Sequence, residues 1–90
     1  MELKDYREII DAIDREMVRL FLTRMDVVAE IARYKEIHGL PILQADREQE
    51  KLTAVKEGVP EALKESVAAL YALMLQLSRQ HQAQLLEREE

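Results

Sequence analysis

Residues 3–38 read LKDYREIIDAIDREMVRLFLTRMDVVAEIARYKEIH, with neither glycine nor proline in the run. At about 100° per residue, Leu3, Tyr6, Ile9, Ile10, Ile13, Met17, Leu20, Phe21, Val27, Val28 and Ile31 fall on one arc. Lys4, Glu8, Arg15, Arg19 and Arg33 take the opposite face. The stretch therefore predicts one long amphipathic helix. Arg24 and Lys35 interrupt its apolar arc. Their separation is close to three whole turns, so they lie within about 20° of each other near the centre of the arc. A buried cation without a partner is costly, and no acid of this helix stands between the two on that face. Something anionic is expected there.

Punctuation is sparse: Gly39, Pro41, Gly58 and Pro60. It divides a single domain, residues 1–90, into three helices. Helix 1 runs from about Leu3 to His38, with Gly39 suited to the position after its end. Helix 2 is short, about Ala45 to Glu57, and Asp46 followed by Gln49 resembles a capping box. Pro60 opens helix 3, about Glu61 to Glu87, with Glu87 to Glu90 expected to fray. Leu63, Val67, Leu70, Leu73, Met74, Leu77 and Leu85 give helix 3 a wide apolar arc. No stretch alternates as a strand does, so the fold class is all-α.

Helix 1 is too long for this chain to cover. Some 35 residues span roughly 52 Å, whereas a compact domain of this size is roughly 30 Å across. Another chain must cover part of the stripe. The expected assembly is an intertwined homodimeric helical bundle, each chain giving one long and two shorter helices.

The net charge of −5 argues against nucleic acid as the main partner. Without cysteine there is no disulfide framework and no thiolate metal site. The start, MELKDYREII, lacks a signal pattern, and no apolar run approaches membrane-spanning length. The default location is the cytoplasm, with no membrane partner.

Several polar residues carry two readings each. Arg24 and Lys35 either snorkel or pair with an acid of helix 2 (Asp46, Glu48 or Glu50), or they meet an anionic ligand. Arg7 lies 17 residues before Arg24, roughly 25 Å along the axis. It is either a solvated edge residue or, in an antiparallel dimer, a neighbour of the partner's Arg24 and Lys35. Arg47 and Glu48 read alone as a solvated turn. Ser78 and Gln82 stack within the apolar arc of helix 3 and either bond inside the bundle or face a ligand. His81, Met17, Met25 and Met74 read as packing residues. Taken together, Arg7, Arg24, Lys35 and Arg47 with Glu48, Ser78 and Gln82 would form a pocket for a small dianion carrying two carboxylates and a hydroxyl. It has no activated nucleophile, metal-ligand set or glycine-rich phosphate loop. No cofactor or metal is expected, and the chemistry available is binding, orientation and electrostatic stabilisation.

The segments YREIIDAID, TRMDVVAEIARYK, GLPILQADREQE and LMLQLSRQHQ carry a resemblance to the all-helical (AroQ-type) chorismate mutases across nearly the whole chain. The spacings from Arg7 to Arg24, Lys35 and Arg47, and from Ser78 to Gln82, match that family's pocket. The resemblance implies an intertwined dimer with two shared active sites. It implies that Arg7 reaches in from the partner chain and, with Arg24, grips the substrate carboxylates. Lys35 and Gln82 would bond the ether oxygen, Arg47 and Glu48 would lie at the ring side with Glu48 on the ring hydroxyl, and Ser78 would contact a carboxylate. Gln44 stands where several relatives carry an acid, and its contact is expected through backbone. The implied reaction is the rearrangement of chorismate to prephenate, on the route to phenylalanine and tyrosine.

Two rivals share the scaffold. Isochorismate pyruvate-lyases resemble the RMD segment, but their connection between helices 1 and 2 is usually shorter and lacks an acid after the arginine. A non-catalytic or regulatory helical dimer would be expected to have lost pocket residues, and none of the main cations is missing.

Overall fold

The computed structural model describes residues 1–89. It contains α1 (Leu3–Ile37), α2 (Ala45–Ala54), a 3-10 turn (Glu61–Leu63) and α3 (Lys64–Glu89), with no strand among the described residues. No described helix is long and apolar enough to cross a membrane.

Local chemistry sets the ends of α1. At its start the Glu2 N–H donates to Asp5 Oδ2 at 2.8 Å, which satisfies an amide the helix itself leaves open. At its end Gly39 takes φ +66°. The Leu40 N–H then reaches back to the Lys35 carbonyl at 2.8 Å, and Gly39 N–H to Glu36 O at 3.3 Å. These two bonds form a Schellman motif, which needs the left-handed residue that glycine supplies. The motif turns the chain back over the last turn of α1, toward Lys35.

Helix α2 starts at Ala45 as expected but differs in its cap and in its end. It begins directly after Gln44, so Asp46 lies inside the first turn, and the Asp46–Gln49 capping box does not form. It stops at Ala54, short of Glu57. Beyond Val55 the amides bond three residues back, Lys56 to Thr53 and Glu57 to Ala54, and this tighter winding ends at Gly58 with φ +74°. The third helix opens as the 3-10 turn, closed by Leu63 N–H to Pro60 O at 2.9 Å. It then continues to Glu89, past the expected end at Glu87, and Glu90 lies outside the described residues.

Contacts link position 24 to 78 and position 35 to 82, so α1 and α3 run side by side in the same sense, with α2 returning between their ends. This arrangement leaves little interior. Among the described residues only Val28 and Ala32 are buried apolar side chains, and Ser78 and Gln82 are the buried polar ones. Ile9, Ile10, Ile13, Met17 and Leu20 of the α1 stripe are each about half exposed. The chain measures 54 × 28 × 14 Å with a radius of gyration of 16.4 Å, against roughly 12 Å for a compact domain of this length.

Candidate active site

The loop after α1 builds the first half of the site. Because the Schellman motif folds residues 39–42 back, the Ile42 carbonyl accepts from Lys35 Nζ at 2.7 Å. Gln82 Oε1 accepts from the same ammonium at 3.1 Å. Lysine can only donate, so the Gln82 oxygen must face it, which leaves the Gln82 amide nitrogen to donate elsewhere. Burial lowers the Lys35 pKa from its ordinary value, and the nearby Glu48 carboxylate opposes that shift.

Ser78 sits one turn before Gln82 on α3 and serves the other cation. Arg24 Nη1 donates to Ser78 Oγ at 2.6 Å, and Ser78 Oγ donates to the Met74 carbonyl at 2.8 Å. The two buried polar side chains of α3 thus hold the two cations of the α1 stripe. The salt bridges from Arg24 or Lys35 to Asp46, Glu48 or Glu50 do not form among the described residues. Both cations are held by neutral oxygens instead. Their positive charge therefore remains largely unspent.

These groups line one cavity of about 230 Å³. From α1 come Arg24, Lys35 and the apolar Val28 and Ile31; from the loop, Ile42 and Gln44. From α2 come Arg47, Glu48 and Lys51, and from α3 Leu75, Ser78, Arg79 and Gln82. Five cations face one carboxylate, a formal +4. Gln44 Nε2 donates to the Pro41 carbonyl at 3.0 Å, which ties that side chain to its own loop. Arg47 is exposed at the mouth, 3.6 Å from Glu50. Arg7 is exposed on the first third of α1 and does not line the cavity.

Two charged lining residues stood outside the sequence-predicted set. Lys51 follows Arg47 by one turn of α2, so the spacing was available to find it. Arg79 forms an ion pair with Glu48, 31 positions away on another helix, and no local pattern signals that link. Met17 and Met74 line a second, largely apolar groove between α1 and α3, about 450 Å³ in volume.

Fold and site together define an all-helical protein with a strongly cationic pocket. Residues 6–83 match the chorismate mutase type II family, and the chain belongs to that family. It is 40% identical over 70 residues to the T-protein of Haemophilus influenzae, an alignment covering 72% of this chain and 19% of that protein. To the T-protein of Enterobacter agglomerans it is 35% identical over 71 residues, covering 73% and 19%. The chain thus spans about a fifth of the length of the curated relatives it matches. No solved structure gives a significant match.

Proposed function

We propose that the chain converts chorismate to prephenate, in aromatic amino acid biosynthesis, as a homodimer in which each pocket takes Arg7 from the other protomer. The observation that carries the reading is the joint placement of Arg24 on Ser78 and Lys35 on Gln82 in one cavity, with the charge of both cations unused. In a concerted rearrangement the ether C–O bond breaks as the new C–C bond forms, and negative charge grows on the ether oxygen. The Lys35 ammonium and the Gln82 amide N–H are the donors for that oxygen. Arg24 and the partner's Arg7 hold the carboxylates, with Ser78 beside them. Glu48 accepts from the ring hydroxyl and Arg47 closes the ring side. Holding the compact conformer supplies the orientational part of the rate.

The dimer is supported by surface arithmetic. The chain exposes 7110 Å², while a folded monomer of this mass exposes roughly 5,400 Å². The apolar stripe runs from Leu3 to Ile31, so its midpoint is Met17. A two-fold antiparallel pairing of α1 helices about Met17 sets position 7 of one chain beside position 27 of the other. That is within a turn of Arg24, on the stripe where the pocket opens.

The test is product identification after incubation with chorismate and, separately, isochorismate. Prephenate from chorismate supports the reading. Salicylate and pyruvate from isochorismate would assign the lyase, and no turnover of either would assign a non-catalytic dimer.

A further inference from the structure

We infer that Arg79 is a positioning residue whose guanidinium holds the Glu48 carboxylate on the α3 side of the pocket and thereby keeps it off the Lys35 ammonium. The kinetic part of this inference rests on the chorismate reading; the electrostatic part does not.

Glu48 is the one carboxylate lining the cavity. Its Oε1 accepts from Arg79 Nη1, which leaves Oε2 for a hydroxyl donor. The side chains of Arg79 and Glu48 are 34% and 21% exposed, so solvent screens the pair only partly. Among the described residues no other side-chain hydrogen bond or ion pair joins α2 to α3. Arg79 therefore fixes where the carboxylate stands as well as offsetting its charge.

The charged groups around Lys35 are Arg24 on its own helix, Arg47, Glu48 and Lys51 on α2, and Arg79 on α3. Glu48 already acts electrostatically on Lys35. Once released from Arg79, the carboxylate is drawn toward that ammonium. An ion pair there would occupy the donor that has to meet the growing charge on the ether oxygen. It would also withdraw the acceptor from the ring hydroxyl. Arg79 touches neither reacting atom and acts through Glu48.

The experiment is a double-mutant cycle with Arg79→Ala, Glu48→Gln and the double variant, joined to a lysine side-chain NMR titration of the ligand-free protein. Complete loss of one oxyanion donor costs about 10² to 10³ in turnover. Partial neutralisation of Lys35 is expected to lower kcat about tenfold, with a smaller change in KM. In the Glu48→Gln background the same Arg79 change should cost less than about twofold. Arg79→Lys should retain most of kcat. In the titration, Arg79→Ala should move the Lys35 ammonium to higher pH, and the double variant should not. Equal losses in both backgrounds, or an unmoved Lys35 titration, would overturn the inference. If Arg79→Ala does not fold, Arg79→Gln carries the same cycle. Failure of the wild-type protein to turn over chorismate refutes the proposed function, and the titration still decides the role of Arg79.

Discussion

Replacing Lys35 with alanine removes the cation aimed at the ether oxygen. Its Nζ sits 2.7 Å from the Ile42 carbonyl and 3.1 Å from Gln82 Oε1, so its position is set before substrate arrives. A ligand oxygen at hydrogen-bond distance lies about 3 Å away. If about half a unit charge develops there, at an effective dielectric near 20, the attraction gained in the transition state is about 2.8 kcal/mol. Loss of a single oxyanion donor in other enzymes costs about 2.7–4 kcal/mol, which agrees. The expected result is a fall in kcat of about 10² to 10³ with little change in KM, because the carboxylate grips are intact. Stability should change by only about 1 kcal/mol. Removing a desolvated cation is favourable, but two carbonyl oxygens lose their donor. Stopped-time assay of chorismate disappearance gives the first number and urea denaturation the second. A folded Lys35→Ala protein that keeps more than about a tenth of wild-type kcat would refute the electrostatic account.

Activity should be flat between about pH 6 and 8, because Gln82 donates without titrating. Burial lowers the Lys35 pKa, so kcat/KM should fall on the alkaline side before an ordinary lysine would titrate; a steep loss at neutral pH would contradict this. For stability the sign is opposite: the penalty for the desolvated charge is full below the folded-state pKa. It is relieved as pH rises from there toward the unfolded-state value, a gain in urea midpoint that Lys35→Ala should lack. An equal mixture of Arg7→Ala and Arg24→Ala chains should recover about a quarter of wild-type activity. Half of the dimers are then mixed, and each has one intact site of two. No recovery, with subunit exchange verified by native mass spectrometry, would exclude a shared site. Gly39→Ala should cost about 1–2 kcal/mol on thermal denaturation. An added Cβ meets no atom within 4 Å, so the whole cost is the left-handed backbone at φ +66°, and an unchanged melting temperature would contradict it.

Helix 1 was legible because its signals are local: an unbroken period, then Gly39 and Pro41 at the stop. Helix 2 was overextended to Glu57 because Val55 to Glu57 keep a helical composition, while the bonding tightens to three-residue steps. Composition carries no mark of that change. Arg24, Lys35, Ser78 and Gln82 stood out because each is a polar residue on an apolar arc. Among the described residues no anion pairs directly with either cation: neutral oxygens hold both, an arrangement that depends on where the α1–α2 loop turns. Arg79 was missed because it looks like an ordinary solvent-facing charge until α2 is placed beside it, whereas Lys51 could have been found from its one-turn spacing to Arg47.

The near absence of an interior has a consequence for how the molecule comes into being. With Val28 and Ala32 as the buried apolar side chains among the described residues, a lone chain has little to collapse around. If the stripe on α1 is covered by a second copy, folding and pairing are a single event of second order. Refolding half-times should then shorten as protein concentration rises, and the denaturation midpoint should climb with it. Specific activity should fall on dilution. The pocket would then depend on how many chains the cell holds as well as on the sequence of each.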